Sequence, residues 1–353
     1  MTRFSDDAAK GKAAKGEAAK GEAAKPSRRR VLKATAAVAT GLAAPSLLRI
    51  GSAFAAYPDR PIKIVVPNTP GGPSDMIARF MATALTGPLG TVVVENKGGA
   101  GGNIGMGFVA HAEPDGYTIL LATSAYSVNP GLYHALPYDP FKDFSAICEL
   151  AVSPNVFAVK PELGVSTMKD FIALAKKSPS TFNVSSPPVG TTPQLEAEVL
   201  KTREGLQGMA TVVFKGGGDA LKALLTGTVQ LSSGVLAPAH PHIKAGAIKG
   251  LAVTGSKRWA DLPDIPTMAE AGYKDFVFET YCSLMAPVKT PPEFVAKLEK
   301  ACLEILAKPD IREKLTKAGF EVTAKTGKGH MERVAKEIPM YKKIIEDAKI
   351  TKL

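Results

Sequence analysis

The 353-residue chain has few of the residue types that carry most enzyme and metal chemistry: three cysteines, five histidines and one tryptophan. No two cysteines stand at CxxC spacing, which excludes the common zinc-ribbon and dithiol frameworks. The chain contains no G-x-S-x-G, H-E-x-x-H or G-x-x-x-x-G-K-[ST]. The signatures of a hydrolase nucleophile, a zincin helix and a phosphate-cradling P-loop are therefore all missing. The one close histidine pair, His240-Pro241-His242, has no further ligands beside it, and the five histidines read as surface residues. No metal, cofactor or catalytic group is expected. A run of about 20 apolar residues, the length a membrane-spanning helix needs, is absent as well.

What the N-terminus does have is a five-residue Gly-x-Ala-Ala-Lys period over residues 8–25. With nothing apolar larger than alanine, this segment cannot offset its ordering entropy and is expected to be mobile. It leads into Ser27-Arg28-Arg29-Arg30-Val31-Leu32-Lys33, an alanine-rich apolar run from Ala34 to Leu48, and Ala53-Phe54-Ala55. Basic, apolar and small-x-small segments in that order form an export signal, with cleavage expected after Ala55. The arginine pair and the weak apolar run, broken by Gly41 and Pro45, resemble a twin-arginine signal. Without a cysteine at the cleavage site, a free periplasmic protein is expected. The formal net charge of +11 falls to +4 once residues 1–55 are removed, and the case for a nucleic-acid partner goes with it.

The remaining 298 residues are near the size at which chains divide into two domains. Short β-branched runs, read as strands, fall at Ile62–Pro67, Thr91–Glu95, Tyr117–Ala122, Asn155–Val159, Thr211–Phe214, Val229–Ser233 and Leu251–Thr254. Between and after them, three- and four-residue apolar spacing predicts helices at Asp75–Leu85, Asn103–Ala112, Met168–Lys177, Gln194–Lys201, Asp219–Leu225, Pro292–Leu306 and Met331–Ala348. This alternation predicts an α/β fold of parallel sheets covered by helices.

Four strand ends run into polar, glycine-rich turns and then into helix starts. They are Asn68–Asp75, Gly98–Asn103, Val189–Gln194 and Lys215–Asp219; a further turn is Thr123–Tyr126. A helix N-terminus exposes unpaired N–H groups and partial positive charge, so such turns favour an anion. Making the corner is the plainer role for any one of them. Asp75 and Asp219 read as helix-start caps, Lys215 as a solvated charge and Trp259 as a packing residue. Gly99-x-Gly101 is followed by Ile104 where a dinucleotide fingerprint needs glycine, so a nicotinamide site is not indicated.

The mature chain resembles the Bug, or TctC-like, solute receptors of tripartite tricarboxylate transport systems. The resemblance rests on Tyr57–Ile62, Pro70-Gly71-Gly72 with Asp75, Val94–Lys97 with Gly99–Gly102, and Pro114–Thr118. It continues through Lys215-Gly216-Gly217, Gly250–Thr254, Pro263–Thr267 and Glu270-Ala271-Gly272. It implies a two-domain periplasmic-binding-protein fold, a Venus flytrap with two crossing hinge strands near Val152–Val159 and Thr280–Met285. Domain 1 would combine residues 56–156 with 282–353, and domain 2 would be 157–281. Cys148 and Cys282, near that crossing, are the better candidates for a disulfide; three buried free thiols are the alternative.

The resemblance also implies a carboxylate ligand, integral membrane transporter subunits as partners, and a receptor rather than an enzyme; a monomer is expected. It places Thr69, Pro70, Gly71 and Gly72 at one end of the ligand with Thr123 and Ser124 nearby, and Gly190, Thr191, Thr192 and Gln194 at the other. The family pattern has Phe-Ala at Asn68-Thr69, His at Gln194 and Tyr at Phe214. Two of these departures add hydrogen-bonding side chains and one removes a titratable group, so a ligand with polar substituents and weak pH dependence near neutrality is expected. A periplasmic lyase or oxidoreductase and a sensing co-receptor are the competing readings.

Overall fold

A computed structural model describes residues 57–353; the N-terminal repeat and the export signal lie outside the described residues. The first part of the chain alternates β1 (Ile62–Val66), α1 (Pro73–Leu89), β2 (Val92–Asn96), α2 (Asn103–Ala110), β3 (Thr118–Thr123) and α3 (Ala125–Leu132). The long strand β4 (Phe144–Val159) then leads into α4 (Met168–Lys177), β5 (Asn183–Ser186), α5 (Thr192–Glu204), β6 (Ala210–Val213) and α6 (Gly217–Leu225). Next come β7 (Leu231–Val235), α7 (Leu236–Lys244), β8 (Lys249–Val253), β9 (Glu279–Pro287), α8 (Pro292–Leu306), α9 (Pro309–Lys317), β10 (Glu321–Thr326) and α10 (Gly327–Asp347).

β4 belongs to two sheets. Over Phe144–Pro154 it pairs antiparallel with β9, and its inner part also pairs with β10. Over Asn155–Val159 it pairs antiparallel with β7 and β8. β2, β1 and β3 extend the first sheet in parallel, and β5 and β6 extend the second in parallel with β7. The expectation of parallel sheets thus holds for the outer strands only. The strands that cross between the lobes run antiparallel to their neighbours, and β4 begins eleven residues before the segment read as a strand.

Each sheet has its own apolar core. In α1 the stripe Ile77, Met81 and Leu85, each four residues apart, is buried against Ile64, Leu121 and Leu284. Burying one such side chain contributes about 1.5–3 kcal/mol, so truncating Met81 would weaken this lobe. The second core gathers Phe157, Phe171, Leu200, Met209 and Leu231. The long helix α10 serves both. Val334 and Ile338 pack with Tyr126 and Met285, whereas Tyr341 and Ile345 pack into the second core beside Val128 and Leu132 of α3.

Several sequence readings are corrected. The turn read at Thr123–Tyr126 continues as α3, whose Ser127, Asn129, Pro130 and Gly131 are poor helix formers. Tertiary bonds hold it instead: Ser127 Oγ lies 2.9 Å from the Tyr281 hydroxyl, and Asn129 Nδ2 donates to Asn103 Oδ1 at 2.7 Å. His240 and His330 are buried, not on the surface, because Asp261 faces the first at 2.8 Å and Ser283 and Glu149 face the second. All three thiols are free and buried. Strand register sets Cys148 opposite Leu284 and Cys282 opposite Ala151, so the two are not partners across the ladder. The Cys148 thiol meets that of Cys302 on α8. Trp259 is buried, as a packing residue should be.

Candidate functional site

Strand order brings the carboxyl ends of β1 and β3 from one sheet to face those of β5 and β7 from the other. Because β1, β3, β5 and the neighbouring β6 lead into α1, α3, α5 and α6, the space between the lobes is ringed by helix starts. The resulting narrow cleft is bordered by Gly72, Pro73 and Ser74 at α1 and by Ser124 and Ala125 at α3. Thr191, Thr192 and Pro193 at α5 and Gly217 at α6 complete the ring.

The helix starts leave donors free. Met76, Leu195, Ala220 and Val128 make the first i→i−4 bonds of α1, α5, α6 and α3, to Gly72, Thr191, Gly216 and Ser124. The N–H groups just before Met76, Leu195 and Ala220 have no intrahelical acceptor, whereas in α3 the Ser127 N–H already donates to Ser124 O at 3.0 Å. Proline at the first position of α1 and the second of α5 fits there because no N–H is required of it. Hydroxyls of Thr69, Ser74, Thr123, Ser124, Thr191, Thr192 and Thr280 stand among these donors. Pro187, Pro188 and Val235 supply apolar wall, and no side chain bordering the cleft carries a formal charge. The arrangement can hold an anion by dipoles and N–H groups alone, with apolar surface between its polar ends.

Thr69, Gly72, Thr123, Ser124, Thr191 and Thr192, all expected site residues, border the cleft together. Pro70 faces an adjoining groove shared with Asn96 and Lys215, and Gly71 faces another shared with Met76 and Leu221. The Gly71 N–H is already used, donating to Asp75 Oδ2 at 3.0 Å. Gly190 packs against Asn129, and Gln194 is buried in the first turn of α5 away from the cleft. Asp219, read as a cap, makes no capping bond; the extended Gly216 is the N-cap of α6. Asp75 acts from inside its helix: burial alone would raise its carboxyl, but bonds from Arg79 and the Gly71 N–H outweigh that and hold it below its ordinary value.

Sequence reasoning missed Ser74, Val235 and Thr280. Ser74 stood in a turn already singled out. Thr280 is on β9, and only the crossing of that strand places it here, where its hydroxyl lies 2.9 Å from Thr192 Oγ1 and donates to Asn155 Oδ1 at 3.0 Å. Ser124 fixes the same strand: its Oγ donates to Glu279 O at 3.0 Å and accepts from the Tyr281 N–H at 2.9 Å.

The lobes also touch directly across the cleft. Thr69 Oγ1 is 3.4 Å from Lys215 O, and a Cβ on Gly217 would stand 3.4 Å from Pro73. A Cβ on Gly101 would stand 2.5 Å from Val189 O. Glycine in these turns lets one lobe approach the other.

Two α/β lobes joined by crossing strands, with helix starts converging on the gap, define a solute-binding protein. The chain belongs to the tripartite tricarboxylate transporter family receptors, whose family model matches residues 77–350. It is similar to the periplasmic binding protein BugD, at 34% identity and a TM-score of 0.81, over 84% of this chain and 100% of that one. The R. palustris protein Rpa4515, solved with adipate, is 33% identical with a TM-score of 0.81, over 84% and 100% of the two chains. MatC (Rpa3494) from Rhodopseudomonas palustris, solved with bound malate, is 29% identical with a TM-score of 0.77, over 82% and 100%. The chain is a receptor of the Bug/TctC type, not an enzyme.

Proposed function

We propose that the protein is exported through its twin-arginine-type signal, is cleaved after Ala55, and works in the periplasm as a monomer. There it captures a small organic carboxylate between its lobes and delivers it to the membrane subunits of a tripartite tricarboxylate-type transporter. The lobes divide as residues 56–156 with 282–353 and residues 157–281. The observation that carries this reading is the convergence of four helix starts on a cleft without a charged side chain. Such a site stabilises a carboxylate through charge-assisted hydrogen bonds, each contributing about 1.5–3 kcal/mol.

One carboxylate is held by the starts of α1 and α3, through Thr69, Gly72, Ser74, Thr123 and Ser124. The other end meets Thr191 and Thr192 at the start of α5, while Pro70, Gly71, Gly190 and Gln194 shape the turns behind these contacts. The hydroxyls along the wall favour a ligand with polar substituents between its acid groups, and the malate bound to MatC is of that kind. A thermal-shift screen of dicarboxylates, tricarboxylates, hydroxy acids, aromatic acids and amino acids tests this. A shift confined to hydroxylated or otherwise polar carboxylates, with the ligand recovered unchanged, is expected. A screen won only by bare aliphatic or aromatic acids would overturn the polar-substituent part.

A further inference from the structure

Glu196 is on α5, one turn in from the residues that border the cleft, and it is fully buried. Its Oε2 accepts from Asn155 Nδ2 at 2.8 Å. On the other side, Ser233 Oγ lies 2.7 Å from Glu196 Oε1 and also 2.7 Å from the Pro193 carbonyl oxygen. A hydroxyl has one proton and cannot donate to both. If it serves Pro193, the Ser233–Glu196 contact needs a proton on the carboxyl; if it serves Glu196, two bare acceptors face each other at 2.7 Å. The geometry is therefore that of a neutral Glu196 whose O–H donates to Ser233.

No cationic side chain compensates a negative charge here. The groups facing the carboxyl are the Asn155 amide of β4, Ser233 of β7, Thr254 beyond β8 and the Tyr341 phenol of α10. Only the phenol titrates, and burial holds it protonated far above neutrality; Glu337, Arg333 and Glu279 are the charges around it. Burial likewise raises Glu196 itself, from 4.5 to about 8.

This carboxyl is wired to the cleft. Asn155 Nδ2, which donates to Glu196, also lies 3.3 Å from Thr192 Oγ1, and Asn155 Oδ1 accepts from Thr280. Thr192 and Thr280 both border the cleft. The positive end of α5 thus faces the cleft with its first residues and Glu196 with its second turn. We infer that the cleft binds its anion only together with a proton held on Glu196, so that ligand capture and protonation of this buried carboxyl are linked. The inference rests on the proposed carboxylate-receptor reading. Its physical basis is competition: a carboxylate in the cleft and an ionised Glu196 would share one helix end in a dry interior, where two like charges repel strongly. Glu196 acts as a positioning residue and does not touch the ligand.

The test is calorimetric titration of the full chain from pH 6 to 9.5 with malate, fully ionised above pH 7. Binding should be flat at pH 6–7 and weaken by up to about tenfold per pH unit above pH 8. At pH 8, buffers of different ionisation enthalpy should reveal uptake of about half a proton per ligand. Glu196→Gln, which supplies the missing donor permanently, should bind with wild-type affinity at pH 7, keep it to pH 9.5, and take up no proton. Affinity independent of pH in the wild type, with identical heats in every buffer, would overturn the linkage and leave the receptor standing. A Glu196→Gln variant that keeps the wild-type slope would overturn it as well. If the variant does not fold, the buffer dependence of the wild type decides alone. Failure of malate and the whole carboxylate panel to bind at pH 7 would sink the receptor reading and the inference with it.

Discussion

Gly216 packs so tightly against Thr69 that a methyl group on the glycine would overlap the threonine hydroxyl, although the two residues belong to opposite lobes. The backbone of Gly216 is extended, a conformation alanine adopts freely. Gly216→Ala should therefore leave each lobe folded and obstruct only their approach. The expected result is ligand affinity weakened at least tenfold, with a ligand-free melting temperature within a few degrees of wild type. Small-angle scattering with saturating ligand should show a more open particle.

Ser124→Ala should act on stability as well as on binding. The hydroxyl accepts the Tyr281 N–H inside the crossing strand and donates to Glu279 O. Removing it leaves a buried N–H without a partner, at a cost of about 1–3 kcal/mol. Urea denaturation without ligand reads this directly; a variant as stable as wild type would show that water replaces the hydroxyl.

Two buried glutamates give the stability curve opposite limbs. Burial alone would raise Glu149, but His330, Arg333 and Lys325 outweigh it and pull the carboxyl down to about 2. Its contribution is complete above the ordinary value of 4.5 and is lost as the pH falls through about 2. Glu196, raised to about 8, contributes fully below 4.5, and that contribution is lost as the pH rises through about 8. Stability should peak in mildly acidic solution. Glu149→Gln should cost roughly 1.5–3 kcal/mol at neutral pH, because it weakens the charge-assisted bonds to Arg333 and Lys325, while Arg333 keeps Glu337 and Glu279. Glu196→Gln should flatten the alkaline limb and raise stability at pH 8. Denaturation midpoints from pH 2 to 9 check both limbs.

The cysteines should be silent in the folded protein. All three are buried, and burial raises the Cys282 thiol to about 12. A thiol reagent should find none without denaturant and three with it; a native reaction at Cys302 or Cys148 would mean that α8 lifts from β4.

Much of the fold was legible because β-branched strands and amphipathic helices differ in period, and α4 and α8 have the bounds that apolar spacing predicts. The site was half legible. Turns such as Asn68–Asp75 and Val189–Gln194 declare themselves by composition, since glycine, proline and threonine at a helix start are there for a local reason. Thr280 and Val235 do not, because only pairing between distant strands brings them to the cleft. Glu196 was hidden in another way: with Glu198 and Glu204 it reads as one more charge on a solvated helix face, and only the three-dimensional packing shows that it is buried. Within the glycine-rich turns, Gly101, Gly190 and Gly216 serve the approach of the lobes.

The cleft wall without lysine or arginine has a consequence for the surroundings in which the receptor can work. Capture by a cluster of cationic side chains weakens as dissolved ions screen it, over a Debye length of about 10 Å at 0.1 M salt and 3 Å at 1 M. Backbone N–H groups and hydroxyls that act only at hydrogen-bond distance would leave no room for such ions. Affinity should therefore hold from dilute buffer to seawater strength, and a cell that meets both would need no second receptor for the brine.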